Sequence, residues 1–374
     1  MSKIIFVNDV AATESGALTI LRQFLNAITL YSNKDCIYYV FCSREDLKKY
    51  ENENIKIINN VKGKKWLDRI KWDLYGLKKW GKKQNIKADL VISLQNTGVR
   101  YFKDVPQLVF IQQALPFSKA KWSFFRKGEK ILWFYKNIYK YFIKYSLNKN
   151  AFIVVQTNTM KEAIIKQFHW KRDKIKAINP SFENIDINRI QPINFRDNKF
   201  NIFYPASTVL YKNHELIIKT LKHIKDNKPE IYQNLLVHFT FKEDITRNKQ
   251  LVNLMKTLKV RDGIILEGAL PYEKVLSFYK SCNLVVFPSY VETYALPLRE
   301  TALFGLPLLV SDLPFSREVI GDYKGASFLN FKDFKQWGEA IIDIYQKRPK
   351  FESFNPQQAN SGKQFFDLVD KLLV

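Results

Sequence analysis

Short apolar runs alternate with helix-length amphipathic segments along the whole chain. The runs are rich in β-branched, bulky aliphatic and aromatic residues, which is typical of strands buried on both faces. The helical segments between them predict βα units and therefore parallel sheets. Two groups of five strands favour two doubly wound α/β domains over one large sheet. The ten predicted strands are 4–7, 37–41, 90–93, 108–111, 152–156, 201–204, 236–241, 263–266, 284–287 and 308–310.

The periodicity is interrupted at residues 179–198, where Pro180, Pro192 and several Asn and Asp residues occur. We therefore predict an N-terminal domain at residues 1–190 and a C-terminal domain at 191–355. A second interruption, at 347–363, precedes a predicted apolar helix at 365–373.

Composition adds a large positive charge. The chain has 60 Lys and Arg against 36 Asp and Glu, a net charge of +24. This excess favours anionic partners, namely nucleic acid, an acidic membrane or phosphorylated substrates, without choosing among them. Three cysteines without CxxC spacing indicate free thiols in a reducing compartment, and four scattered histidines form no zinc motif.

The N-terminal apolar run is too short for a signal peptide. No run reaches the roughly 18 apolar residues that would span a bilayer. We therefore predict a cytoplasmic protein.

The densest motif is PSYVETYALPLRETALFGLPLLVSD, at residues 288–312. It predicts a strand end, a loop with Glu292, and a helix with Pro297 in its first turn, where proline is tolerated. A loop at the carboxyl end of a strand is where open α/β sheets bind ligands. Free amides at the helix start suit a diphosphate, and Glu292 and Glu300 could accept hydrogen bonds from vicinal hydroxyls. Taken alone, two glutamates at this spacing are more often solvated charges.

Three further positions follow predicted strands. Lys212 lies near a helix start after strand 201–204 and could supply a positive charge to a diphosphate leaving group, although one lysine in a basic protein is more often solvated. Gln112 follows strand 108–111. Gly16 lies in a short loop after strand 4–7. That loop lacks a GxGxxG pattern, so a nicotinamide dehydrogenase is not supported.

The 288–312 motif resembles the Glu-x7-Glu element of glycosyltransferase family 4. The resemblance implies the GT-B fold, in which two Rossmann-like domains face a cleft, and a retaining, metal-independent transfer from a nucleotide-diphosphate sugar. It implies that Glu292 contacts the donor sugar near the reaction centre and that Glu300 holds the ribose hydroxyls. The loop before the helix would lie at the donor. Its residues are Thr293, Tyr294, Ala295 and Leu296, with Thr293 and Ala295 where the family usually has glycine.

The same resemblance implies that Lys212 binds the donor phosphates and that Gly16 belongs to a loop closing on them. Ser207 stands where the family often has an arginine, so either the phosphate clamp is weaker or another cation substitutes. Gln112 stands where a histidine near the sugar is frequent. Glutamine is not a base at neutral pH, which fits a mechanism in which a donor-phosphate oxygen accepts the proton. The final helix, within 356–374, would cross back to the first domain.

The resemblance also implies the partners. No cofactor is expected, and the substrate would be a UDP-sugar first or a GDP-sugar second. The acceptor would be a glycan, carried on a lipid, in bacterial lipopolysaccharide, O-antigen or capsule synthesis. The alternatives are a catalytically inactive GT-B scaffold or a basic nucleic-acid-binding protein. No recognition motif supports nucleic acid, and the intact Glu292, Glu300 and Lys212 argue against a scaffold.

Two segments, 62–83 and 122–145, combine lysines with aromatic residues. Such faces suit the headgroup layer of an anionic membrane. Equally, the aromatic residues could pack on the sheet and leave the lysines merely solvated. We predict a peripheral protein at the inner face of the cytoplasmic membrane.

Overall fold

The computed structural model of the 374-residue chain describes residues 2–12, 15–61, 66–100, 102, 104–180, 185–195, 198–243, 246–355 and 360–373. The chain divides into two compact units. The first unit comprises Met1–Lys119, Leu132–Phe182 and Gln358–Val374. The second unit comprises Ala120–Ile131 and Glu183–Gln357.

Thirteen strands lie within the described residues. They are β1 Lys3–Asn8, β2 Cys36–Phe41, β3 Ile55–Ile58, β4 Leu90–Ser93, β5 Gln107–Ile111, β6 Ala151–Val155, β7 Ile175–Ala177, β8 Phe200–Tyr204, β9 Leu235–Phe239, β10 Ile264–Leu266, β11 Leu284–Phe287, β12 Leu308–Ser311 and β13 Ala326–Leu329.

The α-helices follow the strands in alternation. They are α1 Ser15–Tyr31, α2 Trp66–Lys71, α3 Leu77–Gln84, α4 Lys130–Phe134, α5 Lys140–Ser146, α6 Asn158–Phe168, α7 His214–Asn227, α8 Pro229–Tyr232, α9 Thr246–Thr257, α10 Tyr272–Ser281, α11 Leu296–Leu303, α12 Pro314–Ile320, α13 Phe334–Lys347 and α14 Ser361–Leu373. Two π-helical turns, Trp72–Gly76 and Tyr135–Tyr139, join α2 to α3 and α4 to α5.

The first unit is built on a seven-stranded sheet in the order β3-β2-β1-β4-β5-β6-β7, and every neighbouring pair is parallel. Helices α1 and α14 cover one face, where the ring of Phe24 stacks on that of Phe366 with centroids 5.8 Å apart. The α14 helix buries Phe366, Leu368 and Val369 against this core. The strand order reverses between β1 and β4, which is the topological switch point of this sheet.

The second unit is built on a six-stranded parallel sheet in the order β10-β9-β8-β11-β12-β13. Its central strands, β8, β9, β11 and β12, are buried along their whole length, as expected for a sheet with helices on both faces. The switch point of this sheet lies between β8 and β11. The doubly wound α/β architecture predicted for each half is therefore confirmed.

The prediction of ten strands in two groups of five is wrong. Each of the missed strands, β3, β7 and β13, lies at a sheet edge. Each is short, and residues such as Lys56, Lys176 and Ser327 alternate with the buried ones, so no continuous apolar run marks it. An edge strand covered on one side only does not need such a run.

The segment Ala120–Ile131 groups with the second unit, although the predicted ranges placed it in the N-terminal domain. Sequence periodicity missed this because the segment contains no strand and only the start of α4. The roles of the predicted ranges stay predictions: acceptor binding by 1–190, donor binding by 191–355, and a final helix within 356–374 that crosses back.

The aromatic residues of segment 62–83 divide between the core and the surface. Trp80 packs against Phe6 and Phe41 with centroids 5.7 and 4.9 Å apart, and Trp72 packs against Phe41 at 5.6 Å. Tyr75 is exposed. Lys62, Lys64 and Lys65 lie outside the described residues, as does the side chain of Trp66. Within the described chain, no helix has the length and apolar character needed to cross a membrane.

Candidate functional site

An ion pair joins the ends of β8 and β11 in the second unit. Lys212 ends a 3₁₀ turn, Leu210–Lys212, and Glu292 lies in the loop after β11. Lys212 Nζ is 2.5 Å from Glu292 Oε1, and the Ser289 hydroxyl donates to the same oxygen at 2.6 Å. The two charged side chains are 17% and 13% exposed. The structure thus brings two predicted donor residues together at the switch point, where open α/β sheets bind ligands.

Local hydrogen bonds hold this pair in place. Asn213 has a left-handed backbone (φ 60°) and donates through Nδ2 to the carbonyl of Phe331 at 2.8 Å. The hydroxyl of Tyr204, at the end of β8, donates to the carbonyl of Lys212. The amide of Tyr290 donates to the carbonyl of Tyr211 at 2.9 Å. The two loops are therefore tied to each other, and the lysine is fixed near the start of α7.

Burial and charge shape the groups around the pair. Burial, reinforced by the charge of Glu292, raises the pKa of Tyr211 to about 12 and also raises that of Tyr204. Burial, together with the charges of Lys212 and Arg247, lowers the pKa of His214 to about 3. The histidine is therefore neutral at physiological pH.

Glu300 occupies a separate environment on α11. It is 5% exposed, and the hydroxyl of Tyr272 donates to its Oε1 at 2.9 Å. Burial raises the pKa of this carboxyl, while the hydroxyls of Tyr279 and Tyr272 oppose the rise. Among the described residues it shares no hydrogen-bond partner with Glu292. The carboxylate can exchange the bond from Tyr272 for one from a ligand hydroxyl.

The loop before α11 has Thr293 and Ala295 at positions where glycine was expected. Ala295 has a left-handed backbone (φ 58°, ψ 70°), a conformation that glycine adopts without the steric cost of a Cβ. Tyr294 is buried, and its hydroxyl accepts a bond from Arg299 at 3.1 Å. Thr293 is half-buried and Leu296 is exposed. The loop therefore keeps the glycine-type conformation at position 295 with alanine in place.

The other predicted positions divide between the two units. Ser207 is exposed in the loop after β8. Gly16 is the second residue of α1, and Thr13 and Glu14 of its loop lie outside the described residues. Gln112 follows β5, and its Nε2 donates to the carbonyl of Leu94 at 2.9 Å. Its role near a sugar stays a prediction.

A buried polar network at the first unit's switch point was not predicted. Asp73 accepts bonds from Asn8 at 2.9 Å, Gln95 at 2.6 Å and Thr97 at 3.0 Å. Arg69 lies 3.9 Å from the same carboxylate. Burial raises the pKa of Asp73 to about 6, against the lowering effect of Arg69 and the three donors. The sequence signal for this network was Asp73 itself, an acidic residue inside the mostly basic and aromatic segment 62–83.

Asp9, the residue after β1, is also buried at 1% exposure. Its Oδ2 has no hydrogen-bond partner in the described part of the chain. Burial raises its pKa to about 8, although the charge of Arg69 acts in the opposite direction. This carboxyl is therefore mostly protonated at neutral pH.

The Ala120–Ile131 segment also reaches the donor loops. Trp122 is 9% exposed, and its indole N–H donates to the hydroxyl of Tyr290. The ring of Tyr290 stacks on Phe331 with centroids 5.3 Å apart. Sequence spacing carried no signal for this contact, because the two partners are far apart along the chain.

Residues 186–361 match the family model described as glycosyl transferases group 1. Over 221 residues the chain is 25% identical to the O-antigen chain mannosyltransferase RfbU of Salmonella typhimurium, which covers 59% of this chain and 58% of the relative. Matches to two further curated proteins cover 47% and 44% of their lengths, so the chain spans about half the length of the curated relatives it matches.

Several solved structures resemble the whole chain. A sucrose-phosphate synthase from Thermosynechococcus elongatus has a TM-score of 0.67 at 13% identity, over 100% of this chain and 96% of that one. HepE of Anabaena in complex with UDP and glucose has a TM-score of 0.62 at 13% identity, with the same coverage. At these identities the likeness concerns the fold. The chain therefore has the GT-B fold, and its residues 186–361 are similar to the glycosyl transferases group 1 family.

Proposed function

We propose that the protein is a retaining, metal-independent glycosyltransferase that takes a sugar from a nucleotide-diphosphate donor bound in the second unit. The observation that carries this proposal is the Lys212–Glu292 pair at the β8–β11 switch point. A cation there can stabilise the charge that develops on a diphosphate leaving group. The absence of an Asp-x-Asp sequence motif supports a reaction without a bound divalent cation.

The two glutamates take different roles in this proposal. Glu292, which is held by Lys212 and Ser289, orients the donor sugar. Glu300 binds the ribose hydroxyls, which replace the bond from Tyr272. Gln112 is not basic, so the proton of the incoming hydroxyl passes to a donor-phosphate oxygen, as retention allows.

The donor is a UDP-sugar in this proposal, with a GDP-sugar as the second candidate. The fold shared with HepE in complex with UDP and glucose supports UDP. The acceptor is a lipid-linked glycan of bacterial surface-polysaccharide synthesis, for which the O-antigen relative gives support.

Calorimetric titration of the whole chain with UDP and with GDP, each with and without EDTA, tests the donor site. One of them should bind in both conditions, and loss of binding with EDTA would contradict metal independence. Lys212→Met should weaken UDP binding about 10-fold or more, because it removes a charged partner of the phosphates. Lys228→Met, an exposed lysine of the same unit, is the matched control.

Turnover and stereochemistry need a second measurement. Incubation with candidate UDP-sugars and lipid-linked glycans, followed by NMR of the new anomeric proton, should give a product with the donor's configuration. An inverted product would refute retention. Nucleotide binding without transfer to any such acceptor or to water would favour the inactive scaffold.

We also propose that the first unit docks on an anionic membrane. Within this unit, α5 exposes Tyr141, Phe142 and Tyr145 beside Lys144. The π turn and α3 add a second exposed set: Tyr75, Lys78, Lys79, Lys82 and Lys83. Aromatic residues next to lysines suit the interface between headgroups and acyl chains. This location would bring the enzyme to a lipid-linked acceptor.

A further inference from the structure

The donor site described above has little net positive charge. Lys212 is already neutralised by Glu292 at 2.5 Å, and both side chains are largely buried. A nucleoside diphosphate brings more than one negative charge, and the phosphates of such ligands are usually held by several cations or amides. A second cation near the carboxyl ends of β8 and β9 would supply the missing positive charge.

Arg247 is placed to supply that charge. It lies in the first turn of α9, which follows β9, the strand next to β8. Its Nη2 donates to Glu215 Oε1 at 3.1 Å. Glu215 is in the first turn of α7, three residues after Lys212. The guanidinium therefore lies beside the helix start that the lysine precedes.

The surroundings of Arg247 contain unused hydrogen-bonding capacity. In the described part of the chain, Arg247 Nε, His214 Nε2 and Asn248 Oδ1 are buried without a partner. His214 and Asn248 are 1% and 2% exposed. Unpaired buried polar groups are rare in folded proteins and call for an explanation. A ligand that accepts from the guanidinium would give Arg247 Nε a partner.

The existing partner of Arg247 can be displaced. Glu215 is 42% exposed, and ion pairs with such exposure contribute little to stability because solvent screens them. The side chain of Arg247 itself is 26% exposed, so it is accessible. Both Lys212 and Arg247 lower the pKa of His214, so both cations act on the same imidazole ring.

We propose that Arg247 is the second cation of the donor site and binds the diphosphate of the nucleotide sugar together with Lys212. The inference rests on the proposed function and adds a residue to it. A cation supplied by α9 also accounts for the uncharged serine at position 207.

Calorimetry of the full-length chain with UDP and with uridine tests this proposal, and GDP with guanosine replaces them if only GDP binds. Arg247→Met should weaken binding of the diphosphate by about 10- to 100-fold and leave that of the nucleoside within about twofold, because only the phosphates are bound by the guanidinium. Arg247→Lys should restore part of the loss. Arg348→Met is the control, since Arg348 packs over Phe200 at the amino end of β8, whereas Arg247 follows the carboxyl end of β9.

Glu215→Gln provides an independent readout. It should tighten diphosphate binding by a few-fold, because it removes the anion that competes for Arg247. Equal UDP affinity of Arg247→Met and the wild type would overturn the inference while leaving the proposed function intact. So would equal losses for UDP and uridine, which indicate a structural role. Failure of the wild type to bind any nucleoside diphosphate would instead refute the proposed function.

Discussion

Replacing Asp9 with asparagine should stabilise the folded protein increasingly as the pH rises from 4 to 8. The carboxyl is 1% exposed, and burial raises its pKa from 3.8 to about 8. The folded state holds the proton more tightly than the unfolded state. The contribution of Asp9 to the free energy of unfolding is therefore fully present below pH 4 and is lost as the pH rises to 8. At ~1.4 kcal/mol for each pH unit, the interval corresponds to about 5–6 kcal/mol. Asparagine fills a similar volume and does not titrate.

Urea unfolding of the wild type and Asp9→Asn at pH 5, 6, 7 and 8, followed by circular dichroism, measures this effect. The advantage of the variant should grow by ~1.4 kcal/mol for each pH unit. Asp73 also titrates in this range, with a pKa of about 6, but it does so in both proteins and cancels in the difference. Asp35→Asn, at an exposed position, should change stability by less than about 0.5 kcal/mol. A difference that stays constant with pH would refute the reasoning.

Three further outcomes are expected. Glu300→Ala should weaken UDP binding by about 1–3 kcal/mol in calorimetry, because it removes the proposed acceptor of the ribose hydroxyls. Glu292→Ala should reduce turnover but not UDP affinity, because it also frees Lys212 to bind the phosphates. Equal affinity losses would contradict the two roles. Ala295→Gly should raise the free energy of unfolding by about 1 kcal/mol in urea, because φ is 58° there, and a lower value would contradict the strain. A variant with serine in place of Lys78, Lys79, Lys82 and Lys83 should bind anionic vesicles several-fold more weakly in low-salt co-sedimentation, with unchanged UDP affinity. A wild type that does not bind such vesicles would refute membrane docking.

The buried parts of the fold could be predicted because a strand covered on both faces must be apolar throughout. All ten predicted runs correspond to strands, including the central β8 and β11 of the second sheet. Three of the four edge strands, β3, β7 and β13, could not be predicted in the same way, since polar or partly exposed residues interrupt them. The signal that identifies a parallel α/β sheet thus weakens at its borders.

Lys212 and Glu292 were singled out from the sequence separately, but their pairing was not predicted. Lys212 and Glu292 are 80 residues apart and meet only because β8 lies next to β11. The same limit applies to Arg247, whose neighbour Glu215 is on another helix. Strand order is decided by packing over the whole sheet, and one sequence does not encode it in any local pattern.

The grouping of residues 120–131 with the second unit affects how the protein can be divided. The polypeptide passes between the units four times, after residues 119, 131, 182 and 357. A single cut therefore releases neither unit whole. A fragment of residues 183–357 would lack Trp122 and leave the hydroxyl of Tyr290 without its indole donor. Recombination between relatives should consequently preserve the proposed nucleotide binding only when residues 120–131 come from the same parent as the second unit.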